Sequence, residues 1–147
     1  QVAERNAVGL QVSERTEFVK SDLFSSPFFQ ENTGKDKVLY DILISNPPYI
    51  ATEEIETLME EVRLHDPRKA LDGMEDGLYF YRAITEEAQD YLVPGGWLLY
   101  EIGCSQGEDV AALLRKYEFE DIEIRQDLAG LDRVVLGRKK LQEDKYV

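Results

Sequence analysis

Apolar residues recur along this chain with two distinct spacings. Around residues 38–45 the aliphatics are nearly consecutive and close on Ile42-Leu43-Ile44-Ser45. That run predicts a buried strand covered on both faces. A second apolar run over 97–102 predicts another strand. Between them the spacing becomes helical. Ile55, Leu58, Met59 and Val62 fall at i, i+3, i+4 and i+7, which predicts one helix over 52–64. Thr52 is placed to cap it, and Glu53 and Glu54 suit its positive end. Tyr81, Ile84, Ala88, Tyr91 and Leu92 mark one side of a helix over 78–92, with Pro94-Gly95-Gly96 as its stop. Ser105 with Glu108 reads as a capping box opening a third helix, whose stripe is Val110, Leu113, Leu114 and Tyr117.

Shorter signals complete the picture. Residues 1–9 read as the last turns of a helix, with Val2, Ala3 and Ala7 on its apolar side. A chain that opens in this way is expected to have more sequence before Gln1 in the natural protein. Residues 17–20 predict a short strand closed by Ser21-Asp22-Leu23-Phe24. The polar stretch 25–37 is a loop whose Phe28 and Phe29 are expected in the core. His65-Asp66-Pro67 ends the helix before it, and 68–77 reads as a glycine-bearing loop. Residues 122–126 and 133–137 form two strands joined without a helix, an antiparallel pair. Strands alternating with helices predict an α/β fold, a mostly parallel sheet with helices on both faces and an antiparallel edge hairpin. Ligands of such sheets bind beyond the C-terminal strand ends. Asp22, Asn46 and Gly103 are expected there.

Composition narrows the partners. The 147 residues fit one domain with a single core, and 43% of them are apolar. The net charge of −13 disfavours nucleic acid, because an acidic surface repels phosphates. The surplus carboxylates read first as a solvated surface and second as a preference for a basic protein partner. No apolar run approaches membrane-spanning length. Cys104 has no partner for an internal disulfide, which suits a reducing, cytoplasmic setting.

The candidate chemistry lies in Asn46-Pro47-Pro48-Tyr49, directly after the first strand. The Asn46 side-chain oxygen and the Pro47 carbonyl can each accept an N–H from one planar amide or amine. The prolines stiffen the backbone and bring no competing N–H. Tyr49 can cover the flat face of the bound group. This arrangement predicts methyl transfer to nitrogen, in which positioning can supply roughly 7–11 kcal/mol of a barrier. An ordinary strand-ending turn would use the same residue types. Asp22 can accept from an adenine amino group with Leu23 or Phe24 on the ring; alone it would be a turn-capping Asp. His65 reads as a helix-end residue, Cys104 as a lone thiol and Glu101 as loop support. No metal-ligand cluster, G-x-G-x-x-G or G-x-x-x-x-G-K-[ST] occurs.

Over nearly its whole length the chain resembles the HemK/PrmC class of S-adenosylmethionine-dependent release factor glutamine N5-methyltransferases. The resemblance runs from Arg5-Asn6-Ala7 and Ser21-Asp22-Leu23-Phe24 through Asp41 to Ile50. It is most distinctive in Asp66-Pro67-Arg68-Lys69-Ala70-Leu71-Asp72-Gly73 and Asp76-Gly77-Leu78-Tyr79-Phe80-Tyr81. Pro94-Gly95-Gly96 and Glu101-Ile102-Gly103 with Gln106 complete it. It implies a Rossmann-like sheet and a release factor as protein substrate. It also implies that Asn46, Pro47, Pro48 and Tyr49 hold the glutamine amide. Asp22, Leu23 and Asn46 would lie beside S-adenosylmethionine. In the family the glycine-rich cofactor loop precedes the point matching Gln1. The chain therefore resembles the C-terminal part of the catalytic domain, lacking the first strand or strands. Exposed sheet edges, self-association and inactivity of the isolated chain follow as expectations. The alternatives are a methyltransferase of another protein or nucleobase amino group, and a non-catalytic binding module or remnant.

Overall fold

A computed structural model describes residues 1–31 and 37–141. These residues form two compact units, one up to residue 38 and one from residue 39 onward. The first contains helix α1 (Val2–Gly9), a single 3-10 turn at Ser13–Arg15 and helix α2 (Pro27–Gln30). Ser26 starts α2 in the expected way, since its hydroxyl accepts from the Phe28 amide and Pro27 occupies the first turn. Phe24 is buried, and Phe29 meets it edge-on at 5.4 Å. Phe28 is exposed rather than in the core. On α1 only Ala7 is buried, while Val2 is exposed. The strand expected over 17–20 is absent from the described residues, and Phe18 and Val19 are exposed. Strand propensity alone cannot hold a ladder without a hydrogen-bonded neighbour. The loop expected over 25–37 contains α2, and its residues 32–36 lie outside the described residues.

The second unit runs through β1 (Tyr40–Ser45), α3 (Thr52–Ile55), α4 (Glu60–His65), α5 (Arg68–Leu71) and α6 (Tyr79–Tyr91). It continues with β2 (Leu92–Glu101), α7 (Gly107–Lys116), β3 (Glu120–Gln126) and β4 (Asp132–Arg138). The sheet order is β1-β2-β4-β3. β1 and β2 are parallel, whereas β4 is antiparallel to both β2 and β3. This is an open mixed α/β sheet with the expected hairpin at one end.

One sheet face carries the core. Register places Leu43 beside Leu98 and Ser45 beside Tyr100, with Val135 next in the row. Leu98, Tyr100 and Val135 are fully buried, as are Val110, Ala111 and Leu114 of α7. Each fully buried aliphatic side chain contributes about 1.5–3 kcal/mol. Helix α6 buries Tyr81, Ile84, Thr85, Ala88 and Tyr91, the side its periodicity predicts. The buried Thr85 hydroxyl is satisfied by the Tyr81 carbonyl and the Tyr100 hydroxyl. The opposite sheet face contains Ile42 beside Trp97 and Ile44 beside Leu99. Ile42 is 52% exposed and Ile44 75% exposed, so β1 is not covered on both faces as its apolar run predicts.

Four local expectations also change. Residues 52–64 are two short helices rather than one, and of the expected stripe only Ile55 is buried. The Thr57 hydroxyl donates to the Glu54 carbonyl, a local bond that competes with continuation of the helix. Ala51 rather than Thr52 occupies the capping position. Residues 68–77 include α5 instead of being wholly loop, and β2 starts before Pro94-Gly95-Gly96 rather than after it. There the register with β1 shifts, and left-handed Gly95 (φ +81°) lets the strand continue. The expected Ser105–Glu108 capping box is not formed, because α7 begins at Gly107 and the side chain of the preceding Gln106 is used elsewhere.

Candidate functional site

Asn46, Pro47, Pro48 and Tyr49 leave the C-terminal end of β1, where Ser45 lies beside Tyr100 of β2. Asn46 is exposed, Pro47 is buried, and Pro48 and Tyr49 are half-buried. Among the described residues the Asn46 carboxamide and the Pro47 carbonyl have no hydrogen-bond partner. Two acceptors are thus free at a rigid strand end, which suits an N–H-bearing planar group.

The next residues are held by the stretch that follows α5. The Ile50 amide donates to the Leu71 carbonyl at 3.0 Å, and the Gly73 amide donates to the Ile50 carbonyl at 2.8 Å. The Thr52 amide donates to the Met74 carbonyl at 2.9 Å. Asp72 supports this pairing: its carboxylate accepts from the Thr52 hydroxyl at 2.7 Å and from the Met74 amide at 3.0 Å. Those bonds, the Thr52 hydroxyl foremost, hold the Asp72 carboxyl below the usual carboxylate range. Arg68 reaches both Asp72 and Glu56.

Glycines allow the closest approach. A Cβ on Gly73 would stand 2.8 Å from the Tyr49 Cα, and one on Gly77 would stand 2.4 Å from the Tyr49 carbonyl oxygen. Gly77 is also left-handed, at φ +70°. Tyr49 is therefore enclosed along its backbone by two glycines of one loop. Gln106 closes the same residue from the other strand end. Its carboxamide nitrogen donates to the Tyr49 carbonyl at 2.9 Å and, at 3.4 Å, to the Gly77 carbonyl. Its carboxamide oxygen accepts from the Gly103 amide at 3.0 Å.

Beneath this cluster, Tyr81 donates to the Glu101 carbonyl at 2.9 Å and meets the Tyr100 ring edge-on. Burial pushes both phenols well above the ordinary tyrosine range. Arg133 of β4 donates to the Ile102 carbonyl at 3.1 Å and pairs with Asp127 of the hairpin turn. Asp76, just before α6, accepts two bonds from Arg82 and one from the Leu78 amide. These lower its carboxyl to about 2.

The other expected residues fall as follows. Asp22 and Leu23 belong to the first unit, whereas Asn46 to Tyr49 belong to the second. Asp22 is exposed in an irregular segment rather than at a strand end, and its carbonyl accepts from the Ser25 amide. Leu23 is half-buried and left-handed, at φ +48°. His65 ends α4 as expected, and Cys104 is exposed after β2. No group of metal-ligating side chains and no helix of membrane-spanning length occurs among the described residues. The basic cluster 138–140 is engaged within the unit. Arg138 pairs with Asp121, Lys140 pairs with Glu118, and Lys139 binds the Gln89 and Leu92 carbonyls. Gln106, Gly73 and Gly77 carry no predicted site role. The signal that marks them is that all three lie in the stretches that carry the family resemblance.

Curated relatives share this sequence closely. A release factor glutamine methyltransferase of Geobacter sulfurreducens is 50% identical over 99 residues, which cover 67% of this chain and 35% of the relative. That of Caulobacter vibrioides is 42% identical over 138 residues, 94% of this chain and 45% of the relative. That of Fusobacterium nucleatum is 38% identical over 133 residues, 90% of this chain and 36% of the relative. The chain thus spans less than half the length of these relatives. No family model matches it.

Two solved structures share the fold. An O-methyltransferase family protein from Burkholderia thailandensis has a TM-score of 0.55 at 15% identity, covering 96% of this chain and 41% of that one. The E. cuniculi Mtq2–Trm112 complex, described as responsible for methylating the eRF1 termination factor, has a TM-score of 0.51 at 18% identity. It covers 92% of this chain and 68% of that one. The sheet is that of Rossmann-like methyltransferases, and over as much as 94% of its length the chain is homologous to release factor glutamine methyltransferases.

Proposed function

We propose that the natural protein carrying this sequence transfers a methyl group from S-adenosylmethionine to the side-chain amide nitrogen of a glutamine in a peptide-chain release factor. One juxtaposition carries the reading: a Tyr49 backbone held by Gln106, Gly73 and Gly77, next to unpartnered acceptors on Asn46 and Pro47. The Asn46 oxygen accepts one amide N–H and the Pro47 carbonyl accepts the other, while Tyr49 covers the amide plane. Both acceptors favour the positive charge that develops on nitrogen during transfer. The substrate amide fits this donor and acceptor set.

S-adenosylmethionine, when bound, supplies an electrophilic methyl group on a sulfonium. On this chain Asn46 would border the donor end of that group. These 147 residues form the C-terminal part of a catalytic domain. They contain no glycine-rich loop for the remainder of the cofactor, so the chain alone binds S-adenosylmethionine weakly and is inactive. The charge of −13 favours a protein substrate over a nucleobase.

The test is a methylation assay with the product of the complete reading frame, offered a bacterial release factor or duplex DNA. Labelling of a release factor glutamine is expected. Labelling of DNA alone, or of neither, overturns the reading. Calorimetry of the isolated chain with S-adenosylmethionine is expected to show no micromolar binding, and micromolar binding would sink the claim that it lacks a donor site.

A further inference from the structure

Gln106 is not among the residues expected to touch substrate or cofactor, yet it joins three separate segments at the site. Its amide nitrogen reaches the Tyr49 carbonyl, at 2.9 Å, and the Gly77 carbonyl, at 3.4 Å. Its amide oxygen holds the Gly103 N–H, at 3.0 Å. Gln106 precedes α7 directly, and its own amide donates to the Gly103 carbonyl at 3.0 Å. It is half-buried and therefore shielded from much of the competing water. A Cβ on Gly103 would lie 2.9 Å from the Gln106 amide oxygen and 3.4 Å from the Tyr49 ring, so strand end, amide and ring are in direct succession.

From this geometry we infer that Gln106 is the positioning residue of the amide clamp. It fixes the Tyr49 carbonyl and, through the two stiff prolines before it, the direction in which Asn46 presents its acceptor. The inference rests on the clamp reading above. Only a side chain with a donor and an acceptor on one planar group satisfies Tyr49, Gly77 and Gly103 together. Glutamate supplies the acceptor for Gly103 but sets an oxygen against two carbonyls. Leucine supplies neither.

Amide hydrogen exchange on the isolated chain tests the latch without requiring activity. In Gln106→Leu, exchange at Gly103, Ile50 and Gly73 should rise about tenfold, while the β2–β4 ladder amides of Leu98 and Val135 keep their protection. In Gln106→Glu, Gly103 should stay protected while Ile50 and Gly73 loosen by a similar factor. Exchange at Ile50 and Gly73 within about twofold of the unsubstituted chain in both variants overturns the inference. If Gln106→Leu fails to fold, Gln106→Glu decides by the same criterion.

In the complete reading-frame product, both variants should lower kcat about 10- to 100-fold with little change in KM for the release factor. A rise in KM with unchanged kcat also overturns the positioning role. Absence of methylation by the unsubstituted product would defeat the clamp reading, whereas the exchange result would still decide whether Gln106 holds the loop.

Discussion

The Tyr81 hydroxyl donates to the Glu101 carbonyl at 2.9 Å, joining the first turn of α6 to the C-terminal end of β2. Tyr81→Phe should cost about 1 kcal/mol of unfolding free energy in urea titration, since it leaves a part-buried carbonyl unsatisfied. The alkaline limb follows from the same burial. The folded-state pKa values of Tyr81 and Tyr100 are raised, so the folded chain holds those protons more tightly than the unfolded one. Their contribution is complete below the unfolded value of about 10 and is lost as pH rises above it. Unfolding midpoints should therefore fall steeply above pH ~10. Tyr81→Phe should flatten that limb.

At acid pH the sign reverses. Asp76 has its carboxyl lowered to about 2 by Arg82 and the Leu78 amide. Its contribution is present above the unfolded carboxylate range and is lost as pH falls from about 4 through about 2. Both side chains are substantially exposed. Asp76→Asn should therefore cost only about 0.5 kcal/mol at neutral pH. Chemical unfolding at pH 7 and at pH 3 should show a smaller difference in the variant than in the parent.

Gly77 and Gly130 separate backbone strain from crowding. Both are left-handed, but a Cβ on Gly130 meets nothing within 4 Å, whereas one on Gly77 meets the Tyr49 carbonyl oxygen. Gly130→Ala should cost about 1 kcal/mol from conformation alone. Gly77→Ala should cost at least about 2 kcal/mol more and loosen the amides of residues 49–52. Equal costs measured by urea denaturation would show that the approach to Tyr49 is relaxed in solution.

Asn46 should behave oppositely. Its carboxamide is exposed and unpartnered, so Asn46→Ala should change stability by less than about 0.5 kcal/mol. In the complete reading-frame product it should reduce glutamine methylation by about 100-fold or more. A stability loss accompanied by unchanged methylation would make Asn46 an ordinary turn residue.

β1 lies at one end of the sheet with Ile42 and Ile44 exposed on one face. Such an edge favours self-association. Ile44→Lys should reduce the concentration-dependent mass seen in sedimentation of the isolated chain while costing under about 0.5 kcal/mol. Unchanged sedimentation, or a monomeric parent, would dismiss the edge as an association surface.

Much of this architecture is written in local periodicity. Helix α6 is legible because Tyr81, Ile84, Ala88 and Tyr91 all face one buried side. The hairpin β3–β4 is legible because its two runs flank a short turn, residues 127–131, that contains Asp127 and Gly130. What fails depends on partners the local sequence does not specify. Residues 17–20 have strand propensity but no ladder. The apolar residues of 52–64 have helical spacing, yet the Thr57 hydroxyl interrupts the helix. Asn46 to Tyr49 announce a site through unusual residues, whereas Gln106 acts through contacts with loops 29 and 57 residues away in sequence, where no spacing rule reaches.

The strand order has a consequence for how the protein is made. β4 is the last of the described strands to be synthesised, yet it lies between β2 and β3. While a ribosome is still translating residues 132–138, β3 has nothing to pair with and β2 has one open side. Tyr100 of β2 and Ile124 of β3 then lack the fully buried Val135 that pairs with both. Closure of this sheet therefore waits for β4, and a nascent chain halted within β4 would display two unsatisfied strands at once.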